Sequence, residues 1–315
     1  MEEQKRKEEF LKTQEPFRRN ALKLIKQMLD WCNMTPGSKH LVDEMLHSIF
    51  FLGKINKVPY DPESIIADKE MLEDLQGKYP RPFKFFLTQL PKRSPFSCVM
   101  DMIVKQKGEE NDNQIIQSLK DLLNGLEVGF LVSSTICVSQ KSKNVKSVRY
   151  YGVSMSTTGP NAGNIVIAAS CLSAWDDYVA DAVITYYPEK GKKDKVKKEY
   201  FDGTIKVPGE VICKAFNLSK GDEIPPCRSC GNLFGLATTV KKEWVYGHCA
   251  EVESLSNMLK NEAEVKRDTK QESATCTPPN RKKAKDSVLV KLNSVLSTIQ
   301  FKTWKDQQFY DPLVE

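Results

Sequence analysis

Two short stretches decide the fold of the second half of the chain: "PPCRSCGNLFG" at residues 225–235 and "WVYGHCAEVESLSNMLK" at residues 244–260. In the first, Cys227 and Cys230 are separated by two residues, a spacing that can bind one tetrahedral ion at Zn–S distances of about 2.3 Å. A proline directly before the pair suits the first turn of a helix, whose N-terminus favours the thiolate form. The stretch therefore predicts half of a metal site at a helix start, although a redox pair has the same spacing.

The second stretch predicts another helix that begins at a cysteine. Its apolar residues recur at helical spacing: Val252, Leu255, Met258 and Leu259. Cys249 at the start of this helix can supply a third thiolate, and Glu251 can face the same ion without binding it. Three protein ligands leave a fourth position open to water, which is the arrangement of a catalytic zinc. Zinc lowers the pKa of such a water towards 7, and a nearby carboxylate can take its proton.

Together, "CAE" at one helix start and "PC-x-x-C" at another resemble the zinc-dependent cytidine deaminase superfamily. The resemblance is sharp over these motifs and loose over roughly residues 114–262. It implies an α/β fold in which helices cover a mixed sheet and the metal lies at two helix N-termini. It implies Zn²⁺ as cofactor, Cys227, Cys230 and Cys249 as its ligands, and Glu251 as the catalytic proton shuttle. The implied reaction is hydrolytic loss of ammonia from a nucleobase, nucleoside, nucleotide or nucleic-acid base.

The two motifs stand in reversed order relative to that family. There the "CAE" or "HAE" helix comes first and "PC-x-x-C" follows after a strand, whereas here Cys227 precedes Cys249 by 22 residues. A metal ion requires only that both helix N-termini converge. A permuted chain order is therefore compatible with the same site.

Neighbouring residues leave alternatives open. His248 is a candidate pocket wall beside the metal ligands, or an alternative ligand that would complete a closed Cys₃His site. A closed site is typical of a non-catalytic zinc-stabilised interaction module, the alternative to a deaminase. A dithiol redox protein using Cys227 and Cys230 would leave "CAE" unexplained. Glu253 is expected to face away from Glu251, on the solvent surface.

The chain divides into two predicted regions around the polar run near residue 110. Residues 1–110 predict a helical accessory region, and residues 111–315 predict the deaminase-like zinc domain. Four segments rich in Val, Ile, Thr and Tyr predict strands: residues 128–140, 148–158, 164–172 and 180–189. The polar composition of residues 263–286 predicts a flexible basic linker, and a C-terminal helix is predicted over 287–308.

The composition bounds the class of protein and its compartment. Of 315 residues, 40% are hydrophobic and 28% charged, which favours a globular domain. The sequence shows neither a signal peptide nor an apolar run long enough for a membrane span. An odd number of cysteines, nine, argues against a disulfide framework. Residues 266–285 also resemble a bipartite nuclear-localisation signal. We therefore expect a cytoplasmic and/or nuclear protein without a membrane partner.

The charge and the aromatic residues bear on binding partners. A net charge of +6 permits a nucleic-acid partner, and the lysine-rich residues 190–200 predict an exposed loop. A bound base needs aromatic side chains to stack on, and Trp175, Tyr246 and Phe234 are candidates by their position in the sequence. His40 and His47 are spaced seven residues apart, which favours surface or packing roles over metal binding. No feature of the sequence indicates an oligomeric state.

Overall fold

The computed structural model describes residues 2–144, 146–271, 273–301, 304 and 308–312, with side chains from residue 16 onwards. Its first part is a group of helices: α1 (Glu2–Met34), α2 (Lys39–Lys54), α3 (Pro62–Ile65), α4 (Lys69–Lys78), α5 (Pro80–Phe85), α6 (Pro95–Lys107) and α7 (Asp112–Leu123). The predicted helical N-terminal region is confirmed. Helix α2 is buried from Leu41 to Gly53 and packs against α1, α5 and α6. A helix that is buried on all sides forms the centre of such a bundle.

An antiparallel sheet follows the helical region. Its strands are β1 (Thr135–Gln140), β2 (Arg149–Val153), β3 (Ile212–Asn217) and β4 (Glu223–Ile224), in the order β2-β1-β3-β4. In the central strand β1, Cys137 pairs with Gly152 of β2 and with Ala215 of β3. The combination of helices and a sheet agrees with the predicted α/β class. The expectation of a mixed sheet is wrong, because every pairing among the described strands is antiparallel.

Two of the predicted strands are helices. Residues 164–172 lie within α8 (Pro160–Ser173), and residues 180–189 lie mostly within α9 (Asp177–Tyr186). Both segments are apolar on nearly every side, and a short apolar run fits a buried helix as well as a buried strand. Local signals favour the helix. Pro160 occupies the first turn of α8, and the Asp176 side chain caps α9 by accepting a hydrogen bond from Tyr178 N at 3.0 Å.

The cysteine motifs begin two further helices, α10 (Arg228–Phe234) and α11 (Ala250–Asn261). Helix α11 lies against β1 and β2 and contacts β2 at Gly152. A Cβ atom at Gly152 would lie 2.2 Å from Ser254 N and 2.5 Å from Ala250 O, so only glycine permits this approach. Ser254 also donates a hydrogen bond to Tyr150 O at 2.8 Å. These contacts fix the start of α11 over one end of the sheet.

The predicted flexible linker over residues 263–286 is wrong. Helix α12 (Ala263–Asp268) occupies its beginning, and α13 (Pro278–Thr298) starts well before the predicted position of 287. Thr277 caps α13. Basic residues hold the segment to the domain: Lys266 Nζ lies 2.7 Å from Asp176 Oδ2, and Arg281 Nε lies 2.6 Å from Asp181 Oδ2. Helix α13 packs on α8 and α9, and it ends before the predicted 308. Residues 302, 303 and 305–307 of that predicted helix lie outside the described residues.

One hydrophobic core contains residues from both regions of the chain. Helix α6 of the N-terminal region contacts β2 of the sheet. The helical region thus packs directly against the sheet on which α11 lies. Within the described part of the chain, no helix combines the length and the apolar character needed to cross a bilayer.

Candidate metal centre

Three cysteine side chains converge where α10 and α11 begin. Cys227 is the N-cap residue of α10, Cys230 lies in its first turn, and Cys249 is the N-cap residue of α11. The Sγ atom of Cys227 lies 3.7 Å from that of Cys230 and 3.3 Å from that of Cys249. All three Sγ atoms lie within 4.8 Å of one another. Tetrahedral zinc with Zn–S bonds of about 2.3 Å requires sulfur atoms about 3.8 Å apart, so the three cysteines could hold one metal ion.

The chain between the two helices folds back so that the cysteines meet. Gly235 ends α10 with a left-handed conformation, at φ 69°. The returning segment is bonded to α10: Arg228 N donates to Lys242 O at 3.0 Å, and Ser229 Oγ donates to Trp244 O at 2.7 Å. Gly247 then turns the chain into α11 with φ +93°, a conformation that side chains disfavour. The loop of residues 235–249 thus brings the two helix starts together.

The three thiols share protons unequally. Hydrogen bonds to Cys230 and Cys249 lower the pKa of Cys227, and the backbone N–H groups of Cys230 and Ser229 act in the same direction. The same hydrogen bonds to Cys227 raise the pKa values of Cys230 and Cys249, and burial adds to both increases. The metal-free cluster therefore favours one thiolate and two thiols. Binding of a metal ion must displace the remaining protons.

Glu251 lies next to this cluster on the first turn of α11. Its side chain is only 5% exposed, and it lines the same cavity as Cys227 and Cys249. Burial raises the pKa of Glu251, and the negative charge of Cys227 raises it further. A carboxyl group with a raised pKa binds a proton more readily than an exposed glutamate does, which suits a proton shuttle.

His248 stands beside the metal-competent group. Among the described residues that group consists of the three cysteines, and His248 is not part of it. Its ring lies against α8, because a Cβ at Gly163 would come within 2.9 Å of His248 Cε1. Burial lowers its pKa to about 4, so the imidazole is neutral at physiological pH. The structure thus places His248 as a wall of the cavity.

A cavity of about 480 Å³ opens onto the cluster. Its lining includes Cys227, Cys249, Glu251 and His248. Trp244 lines it from the loop between the two helices. Such a volume is typical of a small-molecule site. Two of the three thiols, Cys227 and Cys249, and the Glu251 carboxyl therefore face a space that can hold a ligand, while Cys230 is buried behind them.

The aromatic residue in this lining was missed by the sequence analysis. The Trp244 side chain is half exposed, and Lys242 Nζ lies 3.7 Å from the centre of its ring. The three predicted candidates lie elsewhere: Phe234 is in the core, Tyr246 stacks on Tyr186 at 4.0 Å, and Trp175 is not in the lining. A tryptophan among charged residues in "KKEWVYG" was the signal that could have found it.

The expected surface position of Glu253 is wrong. Its carboxylate is buried, and it accepts a hydrogen bond from Val153 N at 2.9 Å. Arg93 Nη1 lies 3.9 Å away, and the same guanidinium makes two hydrogen bonds of 2.9 Å to Glu44. Burial raises the pKa of Glu253 to about 7. Glu253 lies on the side of α11 that meets both the sheet and the N-terminal region, so only 7% of its surface is exposed.

His47 is also buried, in the N-terminal region and away from the cluster. Its ring stacks on Tyr310 with centroids 3.8 Å apart, which is the packing role considered for it.

Comparisons with protein-family models, with curated proteins and with solved structures found no match to this chain.

Proposed function

We propose that the chain is a zinc-dependent hydrolytic deaminase that acts on an amino-bearing nucleobase. The observation that carries the proposal is the 3.3 Å separation of Cys227 Sγ and Cys249 Sγ, with Glu251 buried beside them in one cavity. The reversed order of the motifs is compatible with a catalytic site, because both helix starts reach one point in space.

Zinc is the metal that suits this donor set. Cys227, Cys230 and Cys249 supply soft thiolate ligands at separations that fit tetrahedral coordination. Among the described residues, these three thiolates would fill three of the four positions around a tetrahedral ion and leave the fourth for another ligand. When bound in such a site, zinc polarises a water molecule and lowers its pKa towards 7.

Glu251 would carry the proton in this chemistry. Water adds its oxygen to the ring carbon that bears the amino group, the bond from that carbon to nitrogen breaks, and ammonia leaves. Glu251 takes a proton from the water and passes it to the departing nitrogen, so no external oxidant or reductant is needed. Burial beside Cys227 raises the pKa of Glu251, so its carboxylate is a stronger base for the water proton than an exposed glutamate would be.

The rest of the cavity would hold the base. Trp244 offers a flat, half-exposed ring at its mouth, on which a planar heterocycle can stack. Neutral His248 forms another part of the wall. The proposal therefore gives both residues binding roles and keeps the proton transfer for Glu251.

A non-catalytic zinc-stabilised interaction module is the second candidate. The observation that favours it is the deep burial of the thiols, since Cys230 is fully buried and Cys227 nearly so. In that case the metal would hold α10 to α11, and Glu251 would be dispensable.

Ammonia release distinguishes the two candidates. Zinc-loaded protein is incubated with cytosine-bearing and adenine-bearing nucleosides, nucleotides and single-stranded oligonucleotides, and Glu251→Gln is compared with Glu264→Gln, an exposed carboxylate of α12. A deaminase releases ammonia from at least one class of substrate. Its Glu251→Gln variant keeps the zinc, and its rate of ammonia release falls about 100-fold or more. Zinc-loaded protein that is inactive on every class, or equal rates for both variants, would favour the interaction module.

A further inference from the structure

An exposed aromatic ring on a lysine-bearing loop lines the cavity at the cysteines, and a second lysine-bearing loop lies beside the first. Trp244 and Lys242 lie on the loop between α10 and α11, with the ammonium group over the indole ring. The lysine-rich loop of residues 190–198 lies beside it, because Lys195 Nζ donates a hydrogen bond to Glu243 O at 3.0 Å. The two loops thus form one surface at the mouth of the cavity.

Several lysines of this surface have charge to offer a ligand. Lys190, Lys193 and Lys241 are exposed, and no carboxylate among the described residues lies within ion-pair distance of them. Two neighbouring lysines do form ion pairs: Lys192 with Glu189, and Lys197 with Asp202. The unpaired lysines thus put positive charge on the same two loops as the exposed ring.

A second cavity, of about 450 Å³, adjoins the first. The two share five lining residues: Ser134, Ser154, Met155, Val245 and His248. The second cavity reaches the lysine-rich loop at Asp194, the one carboxylate of its described lining. The joined space runs from Glu251 past His248 to the surface. With a base placed at the cluster, the second cavity remains free for a neighbouring nucleotide.

We propose that the surface binds single-stranded nucleic acid, with the target base in the metal cavity and its neighbours along the second cavity. The inference rests on the proposed function for the choice of base. Trp244 would stack a flanking base, and Lys190, Lys193 and Lys241 would contact backbone phosphates. The strand must be unpaired at the target, because Glu251 and the thiols lie inside a cavity that a base within a duplex cannot reach.

Fluorescence anisotropy with labelled oligonucleotides of about 16 nucleotides tests the proposal. Single-stranded DNA, single-stranded RNA and a fully paired duplex are titrated with the full chain over a range of salt concentrations. Trp244→Ala is compared with Trp244→Phe, which keeps an aromatic ring. Lys190→Ala, Lys193→Ala and Lys241→Ala are combined in one variant. Its matched control combines Lys26→Ala, Lys69→Ala and Lys107→Ala, three exposed lysines of the N-terminal region.

A single strand of at least one type is expected to bind more tightly than the duplex, and the DNA and RNA arms show which type is preferred. Trp244→Ala should weaken binding about tenfold, while Trp244→Phe keeps most of the affinity. The lysine variant should flatten the dependence of log Kd on log salt by about 0.7 for each phosphate that it no longer neutralises, and the control variant should not. Absence of binding, or equal effects of the lysine variant and its control, would overturn the proposal.

Zinc content and ammonia release from free nucleosides are measured on the same samples. Protein that deaminates free nucleosides without binding strands retains the proposed function and loses this inference. Protein that binds strands as described but deaminates none of the substrates keeps the binding surface and loses the proposed function.

Discussion

Cys227 and Cys249 are 22 residues apart in the chain, and their Sγ atoms lie 3.3 Å apart. Each residue caps the N-terminus of a helix, so the pair joins two helix starts at one point. A single loop, tied to α10 through Arg228 and Ser229, produces this convergence. Binding of one metal ion by both motifs depends on this convergence.

Metal affinity should rise with pH. The pKa values of Cys230 and Cys249 lie above the ordinary thiol value, so both thiols carry protons at neutral pH in the metal-free state. A metal ion must displace these protons, and lower pH therefore opposes binding. Competition with a chromophoric chelator between about pH 6 and pH 8 measures the affinity. Affinity that is constant over this range would show that the thiols are not the ligands.

His248→Gln should leave the metal in place. The imidazole lies against Gly163 and outside the group of three thiols, so its loss removes no ligand. The variant is expected to bind the same zinc equivalent as the wild type, with altered binding of any ligand that fills the cavity. Metal analysis after gel filtration provides the measurement. Loss of zinc would instead favour the closed Cys₃His site.

Gly152→Ala should destabilise the fold. The new Cβ would lie 2.2 Å from Ser254 N and 2.5 Å from Ala250 O, and both are backbone atoms of α11 that cannot move independently. We expect a loss of about 3 kcal/mol in the free energy of unfolding, measured with urea. Gly77→Ala in helix α4 is the matched control, since a Cβ added there would meet no atom within 4 Å. The control should gain about 0.5–1 kcal/mol. Equal stability of the two variants would contradict the packing of α11 on β2.

Glu253 should make the protein less stable as pH rises. Its pKa is raised from 4.5 to about 7 in the folded state, so the folded chain holds a proton that the unfolded chain releases between those values. Stability is therefore lost as pH increases from about 4.5 to about 7, by about 3 kcal/mol from this group. Glu253→Gln keeps an oxygen to accept the Val153 N–H and removes the titration. Urea unfolding measures the free energy of unfolding across this pH range. This free energy should depend less on pH for Glu253→Gln than for Glu70→Gln, an exposed control on α4. Parallel profiles would contradict the buried position of Glu253.

The sequence predicts those parts of the site that depend on local pattern. The spacing of Cys227 and Cys230 and the proline before them predict a metal-binding pair at a helix start. The apolar residues from Val252 to Leu259 recur at helical spacing and predict the start of α11. Their convergence depends on hydrogen bonds between Arg228 and Lys242 and between Ser229 and Trp244, which leave no local signature.

Burial on several sides explains where the sequence analysis failed. Residues 164–172 are mostly apolar because α8 is buried on nearly every side, and such burial removes the periodicity that separates a helix from a strand. Glu253 was expected on the surface because helix geometry turns it away from Glu251. Its actual neighbours, Arg93 and Val153, come from distant parts of the chain.

Metal content per chain, compared between the wild type and Cys249→Ser purified in parallel, tests the central claim most directly. The account predicts about one equivalent of zinc in the wild type and its loss in Cys249→Ser, because Cys249 supplies the third thiolate of one site. Circular dichroism of the variant shows whether α-helical structure survives the substitution. Undiminished zinc in Cys249→Ser, or wild-type protein without metal after purification in zinc-containing buffer, would contradict the joining of the two motifs into a single metal centre.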